Sequence, residues 1–197
     1  KNLYFTRAQG YKKGMALDSI RYDLCRISFD ASTEKMGAPE MVLQASAEQK
    51  SISFPCVSPN GKYLMFTLSD YGNFSIWHPE SDLYIMDLTT GTTKNLENVN
   101  SSDVDSYHTW SSSGHWFVFS SKRMDGLWAR PYIAAFNPET GETGKAFLLP
   151  QEDPMFYDNY TYTYNRPELI KTAVKNGKEF EKIIQQAAIP STPKKNH

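Results

Sequence analysis

Phe54–Ser69 (FPCVSPNGKYLMFTLS) and Tyr107–Lys122 (YHTWSSSGHWFVFSSK) are two copies of one pattern. Laid over one another they put Ser58 on Ser111, Gly61 on Gly114 and Phe66 on Phe119, each 53 positions apart with no gap. Further on, DLYIMDLTTG (Asp82–Gly91) matches RPYIAAFNPETG (Arg130–Gly141), with closing glycines 50 apart. A period near 50 residues is the mark of a stacked repeat architecture, and here every segment of the unit reads as strand. A short apolar strand enters a Ser-Pro-Asn-Gly or Ser-Ser-Ser-Gly turn, where glycine supplies the positive φ of a tight hairpin. A second apolar strand follows (Lys62–Leu68 or His115–Ser120), then a longer polar loop and a third strand (Leu83–Leu88 or Pro131–Phe136). A Thr-Thr-Gly-Thr or Glu-Thr-Gly-Glu turn leads into a weaker fourth strand. Four antiparallel strands at this period describe a β-propeller blade, so the fold class is all-β, with consecutive four-stranded blades.

The N-terminal part holds most of another unit. Leu3-Tyr4-Phe5-Thr6 matches Leu64-Met65-Phe66-Thr67, and Tyr22–Phe29 matches Ser81–Leu88. The expected division is a partial blade over residues 1–50 (strands two to four), complete blades over 51–104 and 105–153, and an extra or closing strand over 154–171. Residues 172–197 carry one amphipathic stretch, EFEKIIQQAA, before a basic end, which reads as a short helix and then disorder. About two and a half to three blades are thus present. The opening residues already read as strand, so no secretory signal is visible and the chain is expected to be mature, trimmed or a fragment.

With the repeat in view, the histidines and serines of Tyr107–Gly126 lose most of their look of a catalytic cluster. Ser111–Ser113 form a turn. Trp110, Trp116, Phe117 and Phe119 fall on blade-packing positions, and no G-x-S-x-G elbow occurs anywhere. A net charge of -1 supplies no field for nucleic acid or anionic lipid, and no apolar run reaches the roughly 18 residues of a membrane helix. Cys25 and Cys56, the two cysteines, sit in apolar strands as expected for buried thiols.

SFPCVSPNGKYLMFT…DLYIMDLTTG resembles the TolB-type propeller repeat, in which S-P-D-G leads into an apolar strand and then a D-aromatic-x-x-D segment closed by glycine. The match covers about residues 1–150, is good at Ser58–Gly61 and is degraded at Ser111–Gly114, where serines replace Pro and Asp. The resemblance implies a periplasmic or outer-surface protein of Bacteroidetes-type bacteria with a six- or seven-bladed parent. The missing blades would come from that parent or from a second copy.

In such a propeller the loops between second and third strands share one rim with the inter-blade connections, and rim loops on a rigid scaffold are where binding groups gather. Arg7–Arg21, Asp70–Glu80, Lys122–Arg130 and Asn100–His108 are those segments here. They offer Arg7, Tyr71, Trp77, His78, Asp103, Asp105, His108, Arg123, Trp128 and Arg130, an aromatic and arginine mixture typical of interface hot spots. The expectation is a non-enzymatic binding module for a protein or glycan, without cofactor, metal, nucleic acid or membrane span. The alternative is a polysaccharide lyase or hydrolase whose channel site other blades complete. His78 and His108 could face one rim, but without a patterned carboxylate they are a poor metal site.

Overall fold

The computed structural model describes residues 1–173 and 177–186 and consists of three four-stranded antiparallel sheets. The first is built from β1 (Asn2–Ala8), β2 (Tyr22–Asp30), β3 (Lys35–Met36) and β4 (Glu40–Leu43); β3 and β4 both pair with β2, so they form one interrupted outer strand. The second runs in order through β5 (Ser51–Val57), β6 (Tyr63–Ser69), β7 (Asp82–Asp87) and β8 (Thr93–Asn95). The third runs through β9 (Asp105–Trp110), β10 (Trp116–Ser121), β11 (Arg130–Ala135) and β12 (Phe147–Leu148). This is an arc of propeller blades. In the first blade β1 is the innermost strand among the described residues.

The repeat holds at the level of single hydrogen bonds. Ser58 N–H donates to the Tyr63 carbonyl at 2.8 Å, and Ser111 N–H donates to that of Trp116 at 2.8 Å. Gly61 and Gly114 both take positive φ, 74° and 72°, which closes the hairpin. At the outer turns Asp87 Oδ1 accepts from Thr89 and Thr90, and Asn137 Oδ1 accepts from Glu139 and Thr140. These side chains mimic a backbone turn, so the Asp-to-Asn change preserves the geometry.

Alternation along the second strand assigns each face to one neighbour. Leu64, Phe66 and Met86 pack on Leu24, Ala45 and Ile52 between blades one and two. Met65, Leu83 and Ile85 pack on Phe117, Phe119, Tyr132 and Phe136 between blades two and three. Phe66, Phe117 and Phe119 are fully buried, and truncating any of them to Ala should cost about 3–5 kcal/mol. Trp116 departs from its expected packing role: it is 40% exposed, because it faces away from blade two beside the turn.

The expected closing strand over 154–171 is absent among the described residues. Phe156–Asn159 is a single helical turn (α1), and the chain beyond it joins no sheet. It is instead a strap across the outward face of blade three. Tyr164 N–H donates to the Ala129 carbonyl, Ser120 Oγ to the carbonyls of Tyr164 and Asn165, and Thr109 Oγ1 to that of Pro167. Thr67 is the residue 53 positions before Ser120, and it bonds Ser106 of blade three's inner strand. The strap therefore sits where the inner strand of a following blade would sit, held mainly through side chains. Its run of tyrosines and its Pro167, which has no N–H to give, leave it outside the sheet ladder. A second helix, α2 (Gly177–Gln185), follows, and the basic tail from residue 187 onward lies outside the described residues.

Candidate functional site

Two regions collect side chains that the fold itself does not consume. One is the rim made by the loops after β6 and β10. Ile76, Val104 and Ala129 form a small core under it, which fixes the two loops against one another. Above that core Trp77 is 70% exposed, Phe74 68% and Leu127 66%, with Met124 and Trp128 also exposed. The Lys122 ammonium lies 3.5 Å from the centroid of the Trp77 ring, a cation–π contact that orients the indole. Burial lowers the Lys122 pKa below the usual lysine value, and the charges of Asp103 and Asp125 act against that. Five large apolar side chains exposed on adjoining loops exceed the scattered hydrophobics of an ordinary surface.

The ten residues expected on the rim divide sharply. Trp77 and Trp128 are there and exposed, and Tyr71 is half-buried, its ring tilted against that of His78 with the centroids 4.0 Å apart. His78 is buried beside Glu80, and Asp103 is half-buried, accepting from the Val104 amide. Arg7 lies within β1 at the first blade, exposed and away from the Trp77 cluster. The remaining four do not form a contact face. Asp105 is fully buried, accepts from Ser101 and pairs with Arg123, whose guanidinium also donates to the Val99 carbonyl at 2.8 Å. Burial raises the Asp105 pKa although Arg123 pulls the other way. Arg123 stacks over Tyr132 at 4.5 Å, so both members of the pair lock blade three to the loop before it. Arg130 is buried and donates to the carbonyls of Tyr157 and Tyr162, anchoring the strap. His108 lies within β9, not in a loop, and is buried. Arginine and aspartate look like surface residues in a sequence; only their partners, distant along the chain, reveal otherwise.

The second region is a niche of about 260 Å³ on the inner-strand side, lined by Phe54, Tyr107, His108, Arg166 and Glu168 among others. Phe54 and Tyr107 are equivalent, 53 positions apart, and both hold left-handed backbone, φ 54° and 55°. Each sits at an irregularity in the pairing of its inner strand, between Ser53 and Cys56 and opposite Val118–Ser120. For a bulky residue this conformation costs on the order of 1–3 kcal/mol, and such bulges re-aim side chains next to functional sites. The rings meet edge to face at 5.0 Å, and Arg166 of the strap lies over both, 4.8 Å from Phe54 and 5.9 Å from Tyr107. Neither ring nitrogen of His108 completes a hydrogen bond of good geometry. Burial holds the His108 pKa at about 4, against the nearby carbonyls of Met65 and Phe54, so the ring is neutral at pH 7. Sequence comparison of the repeats already paired Phe54 with Tyr107; Arg166, outside the repeat, gave no signal.

No protein-family model and no curated protein matches the chain. Among solved structures, the β-propeller domain of the Trilobed protease from Pyrococcus furiosus is 14% identical, with a TM-score of 0.40 over 77% of this chain and 40% of that one. A luciferin-regenerating enzyme is 12% identical with a TM-score of 0.45, covering 73% and 45%. An oligogalacturonate lyase in complex with manganese is 14% identical with a TM-score of 0.36, covering 73% and 49%. The chain spans less than half the length of each. At this similarity nothing about activity passes from them to this chain, and the propeller arc is read from its own three sheets.

Proposed function

We propose that this arc is a non-enzymatic binding or scaffold module of the bacterial cell envelope, presenting its loop rim to a protein or glycan partner. The observation that carries the reading is the rim cluster, with Trp77 exposed, Lys122 beneath it, and Phe74, Leu127 and Trp128 around it. Flat aromatic area held in one orientation is what both protein hot spots and sugar-stacking surfaces use, because little side-chain entropy is left to lose on binding. The periplasmic or outer-surface setting, in a Bacteroidetes-type host and a longer parent, rests on the resemblance to TolB-type repeats. In that setting the remaining blades belong to the parent chain or to a second copy. The alternative, a polysaccharide lyase or hydrolase, needs a metal or a carboxylate pair converging in the channel. Among the described residues no three His, Cys, Asp or Glu side chains are grouped to hold a metal, and the inner-strand carboxylate Asp105 is committed to Arg123.

A photo-crosslinking amino acid at position 77, compared with one at His115 on the opposite rim, tests the reading in the source cell. A discrete adduct from position 77 alone is expected. Equal labelling from both rims, or none from position 77, overturns it. Trp77→Ala should abolish the interaction while moving the melting temperature by no more than about 2 °C, since it removes an exposed side chain. Collapse of stability would make Trp77 a core residue instead.

A further inference from the structure

The rim leaves the inner-strand niche without a role, and its parts fit a ligand better than they fit one another. Two large aromatic residues are held in left-handed backbone at equivalent bulges, which turns their rings toward the niche. The Arg166 guanidinium lies over those rings, nearer to Phe54, and among the described residues no carboxylate comes within ion-pair distance of it. Its in-plane N–H groups are therefore unspent, and a guanidinium fork matches a carboxylate in geometry and charge. His108, 4% exposed, lines the same niche with neither ring nitrogen well partnered. A neutral imidazole there carries a single N–H, which an acid group in the niche would compete for with the nearby carbonyls of Met65 and Phe54. The volume of about 260 Å³ accommodates a group the size of a single large side chain.

We infer that this niche binds a small carboxylate with a flat or apolar body. The body lies against Phe54 and Tyr107, and Arg166 grips the acid group, assisted by His108. Glu168 lines the same niche and opposes an anion there, so it sets the affinity from the other side. The site is separate from the aromatic rim and does not depend on it.

Phenylacetate is a probe of the right size and chemistry, and phenylacetamide is its uncharged counterpart. Titration of the full chain with each, followed by calorimetry and by the amide resonances of Tyr107 and His108, reads the site directly. Saturable one-to-one binding of phenylacetate is expected, at least about tenfold tighter than the amide, as a charged hydrogen bond contributes. Arg166→Gln should remove that preference, Glu168→Gln should strengthen phenylacetate binding, and Trp77→Ala should change neither. Circular dichroism on each variant confirms that it is folded, and Glu168→Gln leaves the Arg166 stack in place should Arg166→Gln unfold. Equal affinity for the acid and the amide, preference retained in Arg166→Gln, weaker binding in Glu168→Gln, or no saturable shift would each overturn the inference. Loss of the rim interaction in Trp77→Ala with phenylacetate binding intact shows the two sites to be independent.

Discussion

The two ends of the blade arc each present a face that a neighbouring blade would cover, the leading face of the first blade and the trailing face of the third, and finish them differently. At the first blade Leu3 occupies the position that Leu64 and Phe117 hold in the next two, yet it is 53% exposed where they are 0%. Phe5 and Ile27 beside it are half-buried, Met41 is exposed, and β1 has an unpaired inner edge. At the third blade Val118 and Ser120 are as buried as Met65 and Thr67, their counterparts in blade two, although no further sheet follows among the described residues. The strap makes the difference, and it does so with carbonyls aimed at Ser120, Thr109 and Arg130 and a stacked series of Phe156, Tyr160 and Tyr164. A blade face can thus be sealed without a blade, provided that its polar positions find acceptors. Among the described residues no such segment covers the first blade, and its edge is there a template for pairing.

The largest effect expected from one substitution belongs to the sealed end. Arg123→Ala would strand Asp105, fully buried, without its cation, and should cost about 3–5 kcal/mol, or roughly 10 °C in melting temperature. At the other end the buried Asp23 is satisfied by the Ser46 amide and hydroxyl with no ion pair, so Arg26→Ala, which breaks an exposed pair with Glu40, should cost less than about 1 kcal/mol. Comparable losses from the two variants would dissolve the contrast.

Acid should open the same end. His108 has its pKa lowered to about 4 by burial, below the ordinary 6.5, so on acidification the unfolded chain takes up the proton first. Its contribution is complete above about pH 6.5 and declines as the pH falls towards 4, amounting to about 2 kcal/mol of lost stability by pH 5. Asp105, raised by burial, acts in the opposite direction, so the difference between wild type and His108→Gln isolates the histidine. Urea midpoints at pH 7.5, 6 and 5 should show that difference shrinking with acid. A difference independent of pH would mean that folding leaves the His108 pKa unshifted. Next in size is Arg130→Met. It leaves the carbonyls of Tyr157 and Tyr162 without their donor, and should cost about 2 kcal/mol with faster amide exchange confined to the strap. Uniform exchange across all three blades would show that the strap is not a separate unit.

Much of this could be read from the chain before its coordinates. The 53-residue offset from Phe66 to Phe119 and the glycines at 61 and 114 sufficed for blades, turns and the faces that pack, because repetition imposes the same strand alternation each time. Arg123 and Arg130 misled, since burial of an arginine depends on partners 18 to 32 positions away, as with Asp105 and Tyr162. His108 stands where the preceding copy has Pro55, so the repeat offered no guide to a buried imidazole. The strap's tyrosines alternate as a strand would. Alternation reports a two-sided environment and does not say whether backbone or side chains make the bonds.

The smallest energetic effect tests the open end. Leu3→Glu changes an exposed side chain and should alter the stability of the single chain by no more than about 0.5 kcal/mol. Its effect on association should be larger, because a charge on an apolar face opposes every partner that would cover it. Light scattering of wild type and variant at matched concentration separates the cases. A wild-type dimer that Leu3→Glu converts to a monomer would place a second copy against the first blade. A wild type and variant of the same size would leave that face to blades from the parent chain. A dimer insensitive to Leu3→Glu but broken by Trp77→Ala would move self-association to the rim, and the two ends of the arc would then differ in finish without differing in what they bind.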